Sequence, residues 1–372
     1  MESDKETSSQ EKAKGESTAA WDFDWVKAVC EKCNWAYLIE SSLNPLRCPH
    51  CQQTNLAILN NDGVFIPSTH PPERVVPFSL STAESESAIH RFASGIPFAP
   101  ADLNSSKIQS RSRRLYLPVW LVDSRVRARW KAEAGFNYQV VSHEEKYEQN
   151  HGSWATREVE ETRTRWEPRL GNLDREYYNI EAPALENQSR VWEHLGDFDQ
   201  LKALQFEPDV IRGAVVRLPD RMPEDSWSDA EPTLKSAAGE ECRLASGADH
   251  IRGFSWQPDF SNQNWTLLLL PVISSFYLDD AGKAQSVLMN GQDGATFGVR
   301  RASLKRAQRM SLVLSILAAI LFIIGLVIAA ATVVFPPGLT LGALAVLFAF
   351  LLGIGAIIPL AIVWWFNRNQ SA

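Results

Sequence analysis

Four cysteines stand in two tight pairs, Cys30-Glu-Lys-Cys33 and Cys48-Pro-His-Cys51, with fourteen residues between them. Two thiolates on one short turn can share a cation, and two such turns together supply the tetrahedral four-sulfur shell that Zn²⁺ favours. The spacing therefore predicts Cys30, Cys33, Cys48 and Cys51 as the ligands of one structural Zn²⁺. Four protein ligands leave no open coordination position, so the site braces a fold rather than performing catalysis. His50 lies between two of the ligands, but the four thiolates already complete the shell. A redox-active CxxC is the competing chemistry; it belongs with a βαβ pattern, and none surrounds these pairs.

The elements that must position the thiolates follow. Trp35 to Ile39 reads as a strand and Asn44-Pro45-Leu46 as the turn that returns the chain to the second pair, which makes residues 21–66 a zinc ribbon. Such ribbons bind DNA, RNA or protein, or brace a domain with too little core of its own. Trp21, Trp25, Trp35 and Tyr37, with few basic neighbours, suit packing or protein contact better than a phosphate backbone. Elsewhere the residues offer little chemistry. His90, His143, His151, His194 and His250 are scattered, no G-x-S-x-G elbow or phosphate loop occurs, and Cys242 stands alone. No catalytic or cofactor-binding residue is predicted, and the chain is read as a non-enzyme without a small-molecule substrate.

Around the ribbon, residues 1–20 are dominated by Glu, Lys, Ser, Thr and Ala, contain no aromatic residue and read as a disordered tail. The proline-rich stretch 67–80 is a linker. Ser81-Thr82-Ala83-Glu84 is a helix start, followed by Ala88, Ile89, Phe92 and Ala93 on one stripe. From Leu115 the pattern alternates as in strands, with Arg125, Arg127, Arg129 and Lys131 on one face and the acids of Arg157 to Trp166 as their expected cross-strand partners. Pro223 to Arg243 reads as a helix interrupted at Pro232, and Leu268-Leu269-Leu270-Pro271-Val272 echoes Leu115-Tyr116-Leu117-Pro118-Val119. The echo suggests two related helix-plus-antiparallel-sheet units, 81–205 and 206–302. Val287 to Gly298 reads as strand, glycine turn and strand.

Charge is sharply segregated along the 372 residues, of which 37 are Lys or Arg and 44 Asp or Glu. With Arg368 set aside, every charged residue precedes Met310, and the resulting formal charge of −8 argues against bulk attraction to nucleic acid or anionic lipid, while leaving room for a local basic patch. From Met310 to Phe366 no charge interrupts 57 residues, far more than the ~20 one crossing needs. Pro336-Pro337-Gly338 ends one helix and turns into another, so the run predicts transmembrane helices at 311–335 and 339–366. Residues 303–310 form a basic juxtamembrane segment and 367–372 a short tail. Arg300, Arg301, Lys305, Arg306 and Arg309 place the N-terminal domains and the C-terminus in the cytoplasm, on the inner face of a plasma membrane, with Trp364 and Trp365 at the interface. Pro359 predicts a kink; Gly342, Gly353 and Gly355 could permit close helix contact, although ordinary membrane usage is the simpler account of them. No ionisable residue lies at membrane depth, which suits an anchor and not a transport path. The fold class is α+β, with an N-terminal zinc ribbon, a helix-plus-antiparallel-sheet region and a C-terminal transmembrane helical hairpin.

This order of features resembles a family of bacterial membrane proteins with an N-terminal zinc ribbon of the transcription factor IIB type, also labelled "primosomal protein N′ (replication factor Y)-like". The residues that carry the resemblance are the four ribbon cysteines, Val75-Val76-Pro77-Phe78, Leu117-Pro118-Val119-Trp120, Leu270-Pro271-Val272, and Met289-Asn290-Gly291-Gln292-Asp293-Gly294 with Gly298. Where the family has glycines after its knuckles this chain has Asn34 and Gln52, and Gly298-Val299-Arg300-Arg301 replaces a Gly-Glu-Arg-Pro-like sequence. Some members are similar to partners of flotillin-like proteins and phage shock protein A in membrane-stress responses. The resemblance thus implies a membrane-anchored cytoplasmic adaptor or scaffold for protein partners; the alternative is a membrane-tethered nucleic-acid-binding protein.

Overall fold

The computed structural model describes residues 25–59, 72–148, 153–331 and 338–370. The expected tail at 1–20, both ends of the ribbon (21–24 and 60–66), the front of the 67–80 linker, the end of the first expected span (332–335) and Pro336-Pro337 lie outside them. In chain order the elements are β1 (Trp25–Val29), β2 (Ala36–Glu40), β3 (Ala57–Ile58), β4 (Pro72–Val75), α1 (Thr82–Ser94), α2 (Ser105–Ser110), β5 (Arg113–Glu148), β6 (Ser153–Ala182), α3 (Gln188–Leu195), β7 (Leu204–Gln205), β8 (Val215–Arg217), α4 (Pro223–Ala245), β9 (His250–Leu278), β10 (Ala284–Asn290), β11 (Thr296–Gly298), α5 (Leu304–Ala330), α6 (Gly338–Gly355) and α7 (Ile358–Asn369).

The strands join in the order β11-β10-β9-β5-β8-β2-β1-β3, with β6 on β5 and β4 on β9 and β7. β5 and β8 run parallel, Leu115 beside Val215, whereas an antiparallel region was expected. The ribbon strands β1, β2 and β3 belong to this same sheet through Tyr37 beside Arg217 and Leu38 beside Val216. Leu38, Val75, Tyr116, Val216 and Leu269 share one apolar cluster, so the ribbon shares core with the strands it was expected to precede as a module.

The chain packs as two compact units, one of Met1–Pro118, Asn187–Leu218 and Leu269–Ala372, the other of Val119–Glu186 and Pro219–Leu268. This division differs from the consecutive 81–205 and 206–302 suggested by the sequence, because sheet pairing joins segments far apart in the chain. The echoed Leu-Pro-Val segments lie on adjacent strands, and β5 and β9 each pass from one unit to the other there, after Pro118 and before Leu269.

In the unit containing α4, that helix buries Ser226, Ala230, Leu234, Ala238 and Cys242 at four-residue spacing. Their apolar partners include Trp120 and Val126, with Trp130 beside Cys242. Pro232 is accommodated without ending the helix. Trp130 lies flat across its cross-strand partner Gly171, where a Cβ would come within 2.4 Å of the indole. The basic face of β5 pairs with a later part of β6 than expected. Asp174 takes a two-pronged bond from Arg125 at 2.6 and 2.8 Å, whereas Arg129 faces Asn172 and Lys131 faces Leu170.

In the other unit, α1 begins with a reciprocal capping box between Ser81 and Glu84 and turns Ala88, Ile89 and Phe92 inward. Asn290, fully buried at the end of β10, donates from Nδ2 to Leu195 O at 3.1 Å and accepts Gln292 N–H at 2.8 Å. Gly291 O then receives the N–H groups of Ser79 and Leu80. The Asn-Gly-Gln-Asp-Gly turn is thus a junction for three distant segments.

Among the described residues two helices are long and apolar enough to cross a membrane, Leu304–Ala330 and Leu339–Asn369. The first starts ahead of the expected 311 because Ser303 caps it: Ser303 Oγ accepts Arg306 N–H at 3.1 Å and donates to Asp280 at 2.7 Å. The basic segment 303–310 is accordingly the cap and opening turns of α5. Ala302, Ala307 and Val363 lie in the apolar cluster built by α1, α2 and β10. The second span divides into α6 and α7 ahead of Pro359, and Ser311 Oγ donates to Ala356 O at 2.6 Å at that break. A Cβ on Gly342 would meet Ala329 at 2.7 Å and one on Gly325 would meet Val346 at 3.0 Å, so these two glycines permit the close contact between α5 and α6, while Gly353 and Gly355 face open space.

Gly171→Ala should lower stability by about 1–3 kcal/mol by forcing Trp130 aside. Asn290→Ala should lower it by about 2 kcal/mol through unsatisfied buried carbonyls. Unfolding of the detergent-solubilised chain checks both, and the conservative change Val299→Ala at an exposed position serves as the reference.

Candidate metal centre

The two cysteine pairs form knuckles of the same backbone design. Asn34 N–H donates to Cys30 O at 2.8 Å and Gln52 N–H to Cys48 O at 3.0 Å, closing each Cys-x-x-Cys turn. The closing residues have φ of 58° and 56°, the left-handed region that favours glycine. Asn tolerates that region through its short polar side chain. Gln52 is held there by tertiary bonds: it is buried, and its Nε2 donates to Pro49 O and to Ser274 Oγ of β9, each at 3.0 Å. Ser274 Oγ in turn donates to Pro49 O.

All four cysteines are free thiols and their sulfurs lie within 4.8 Å of one another. Cys30 and Cys51 are 3.6 Å apart, as are Cys33 and Cys48. A tetrahedral Zn²⁺ shell with bonds of ~2.3 Å has sulfur–sulfur edges of ~3.8 Å, so the cluster already has the size of a metal shell. It can hold a metal ion. Tyr37, wholly buried, places its hydroxyl 3.5 Å from Cys48 Sγ.

The electrostatics of the cluster also ask for a cation. The hydrogen bond from Cys33 lowers the Cys48 thiol well below its usual range against the burial of that residue, with backbone N–H groups and Tyr37 assisting. The same bond and burial push Cys33 up, and burial pushes Cys51 up to about 11. Four sulfurs this close cannot all ionise without a positive charge among them, and a divalent ion supplies it. Arg217 stands nearby: it is buried, donates to Ala36 O at 3.0 Å and Leu218 O at 2.6 Å, and its guanidinium lies 4.7 Å from the centre of the Trp35 ring.

His50 does not join the cluster. Its ring stacks on Trp35 with centroids 3.8 Å apart, burial lowers its pKa, and its buried Nδ1 has no hydrogen-bond partner among the described residues. Cys242 is buried beside Trp130 and Ala132, its thiol raised by burial and by Glu241. The remaining histidines stay apart: His194 packs on Phe297, His143 approaches Glu158 and His250 meets Asn137, while His151 lies outside the described residues. Among the described residues no second group of three or more metal-ligating side chains forms. Ser274 and Arg217 were not singled out by sequence, and Gln52 only as a departure from a knuckle glycine. For Arg217 the available signal was a charge inside the apolar strand Val215-Val216-Arg217-Leu218.

Against known protein families, curated proteins and solved structures, the chain matches none.

The two knuckles should respond oppositely to glycine. Asn34→Gly should change stability by less than about 0.5 kcal/mol. Gln52→Gly, which removes two buried hydrogen bonds, should cost about 2 kcal/mol. Thermal melts of the metal-loaded chain check the contrast.

Proposed function

We propose that this chain is a membrane-anchored adaptor whose metal-braced soluble part binds protein partners at the cytoplasmic face of the membrane. The observation that carries the reading is the junction of anchor and core. Asn367, at the far end of the second span, bonds to both backbone groups of Ala302, ahead of the first span, at 2.8 and 3.0 Å. Ala302, Ala307 and Val363 then pack with α1 and β10. An anchor merged with the core in this way carries its soluble part without a flexible tether.

The metal we assign is Zn²⁺. Four thiolates form a soft, closed shell, and the basic residues before α5, by the positive-inside rule, put the cysteines in a reducing cytoplasm. Protein partners suit the surface better than nucleic acid. On the unit containing α4, Leu170 is 81% exposed and Trp154 68% exposed, with Tyr178 and Val141 also largely open. Arginines of β6 are meanwhile matched by acids beside them, Arg163 with Glu161, and Arg165 and Arg169 with Glu167. Partners of the flotillin-like or phage shock protein A type, and a task in membrane-stress response, fit this reading.

Freshly purified protein should contain about one zinc per chain by elemental analysis. Cys30→Ser with Cys33→Ser should abolish that zinc and destabilise the ribbon, yet leave the chain in the carbonate-washed membrane fraction; its release would contradict the anchor. Cross-linking and pull-down from solubilised membranes should recover a stable protein partner, recovery falling when Leu170 and Trp154 are both replaced by Ser. Salt-sensitive recovery of nucleic acid without any such protein would favour the nucleic-acid reading instead.

A further inference from the structure

A cleft of about 480 Å³ opens beside the second knuckle, between Cys51 and the strands β10 and β11. Its lining includes the cations Lys283 and Arg301, the latter also donating from Nη1 to Asn367 O at 3.4 Å, and no carboxylate, in a chain where acids outnumber bases by 44 to 37. Lys283 is exposed and makes no ion pair among the described residues. The two acids of the neighbouring turn do not line the cleft: Asp279 accepts from Gln285 Nε2 at 2.7 Å and from Lys283 N–H at 2.9 Å, and Asp280 accepts from Ser303 Oγ and Lys305 N–H, with the Lys305 ammonium 2.7 Å from Asp280 O. Phe297 adds an apolar side and Ser286 a hydroxyl. The volume lies in the range of small-ligand sites.

The location narrows the ligand. The Asp279–Lys283 turn caps the N-terminus of α5, and Arg301 precedes that helix by three residues. From Leu304 to Met310, where the uncharged run begins, the helix rises only ~9 Å. One leaflet's polar layer is itself ~5–8 Å deep. On the proposed membrane reading, on which this step rests, the cleft borders the headgroup layer.

We propose that this cleft binds a phosphate-bearing anion, held between Lys283 and Arg301, and that the headgroup of an anionic phospholipid supplies it. The opposing charges are those of the thiolate cluster on the Cys51 side and of Asp279 and Asp280 in the turn; a bound divalent ion and the buried Arg217 offset the first, and Lys305 lies beside Asp280. The ribbon would then form one wall of a lipid site, joining the metal centre to membrane composition.

The test uses the full chain in neutral detergent, with retention of short-chain phosphatidylglycerol or phosphatidylcholine read by native mass spectrometry, and inorganic phosphate as competitor. Phosphatidylglycerol should be retained in preference to phosphatidylcholine. Lys283→Glu should weaken that retention about ten-fold, the scale of one charge-assisted contact, and Lys283→Gln should weaken it less. Arg91→Glu, an equal charge change on the exposed side of α1, should leave it unchanged. Binding of inorganic phosphate that depends on Lys283, without lipid retention, would support the anion site and assign it to a soluble phosphate ester. Equal retention of the two lipids with no phosphate binding, no effect of Lys283→Glu, or an equal effect of Arg91→Glu would overturn the proposal. Carbonate extraction judges the membrane reading separately, since a chain released from membranes can still show Lys283-dependent phosphate binding.

Discussion

The hydrogen bonds between the Asn367 side chain and the backbone of Ala302 set the terms for the rest of the structure. They join the two ends of a stretch that runs 57 residues without a charge and return both ends to one place on the soluble core. A helical hairpin satisfies its backbone internally except at its ends and breaks, and here those positions find specific partners. Asp280 and Ser303 complete the start of α5, and Ser311 reaches the break before Pro359. The apolar side chains at the base then continue into the cluster of α1, α2 and β10.

The ribbon is bound to the core by the same economy of polar contacts. A four-thiolate site ordinarily stabilises a small element that lacks a core of its own. In this chain the cysteine turns are also tied to β9 through Gln52 and Ser274, and β2 extends the sheet along β8. A residue whose backbone conformation favours glycine has been given a long amide because that amide bonds across 222 residues of sequence. The strain of a left-handed Gln is offset by two buried hydrogen bonds.

Cations are placed with equal economy. Arg125 and Arg127 of β5 and Arg163, Arg165 and Arg169 of β6 are matched by neighbouring acids. Arg217 is instead buried against Trp35 at the ribbon, and Lys283 and Arg301 line a cleft without carboxylates.

Features that depend on local chemistry were legible before any fold was known. Cys30, Cys33, Cys48 and Cys51 could be named from spacing because two knuckles impose it, and the apolar spans because length without charge has few other uses. The capping box at Ser81 and Glu84 was legible for the same reason: its partners lie three residues apart. Tertiary structure decided everything that depends on which distant strands meet. The acids facing Arg125 and Arg127 come from Asp174, not from 157–166, because strand register shifts every pair together. The echoed Leu-Pro-Val segments became neighbours in one sheet, and Gly325, not Gly353, became the partner of Gly342 in the close helix contact. Gln52, Ser274 and Arg217 gained their roles beside the thiolates only when β8 and β9 arrived there, and no local periodicity records an encounter between residues two hundred positions apart.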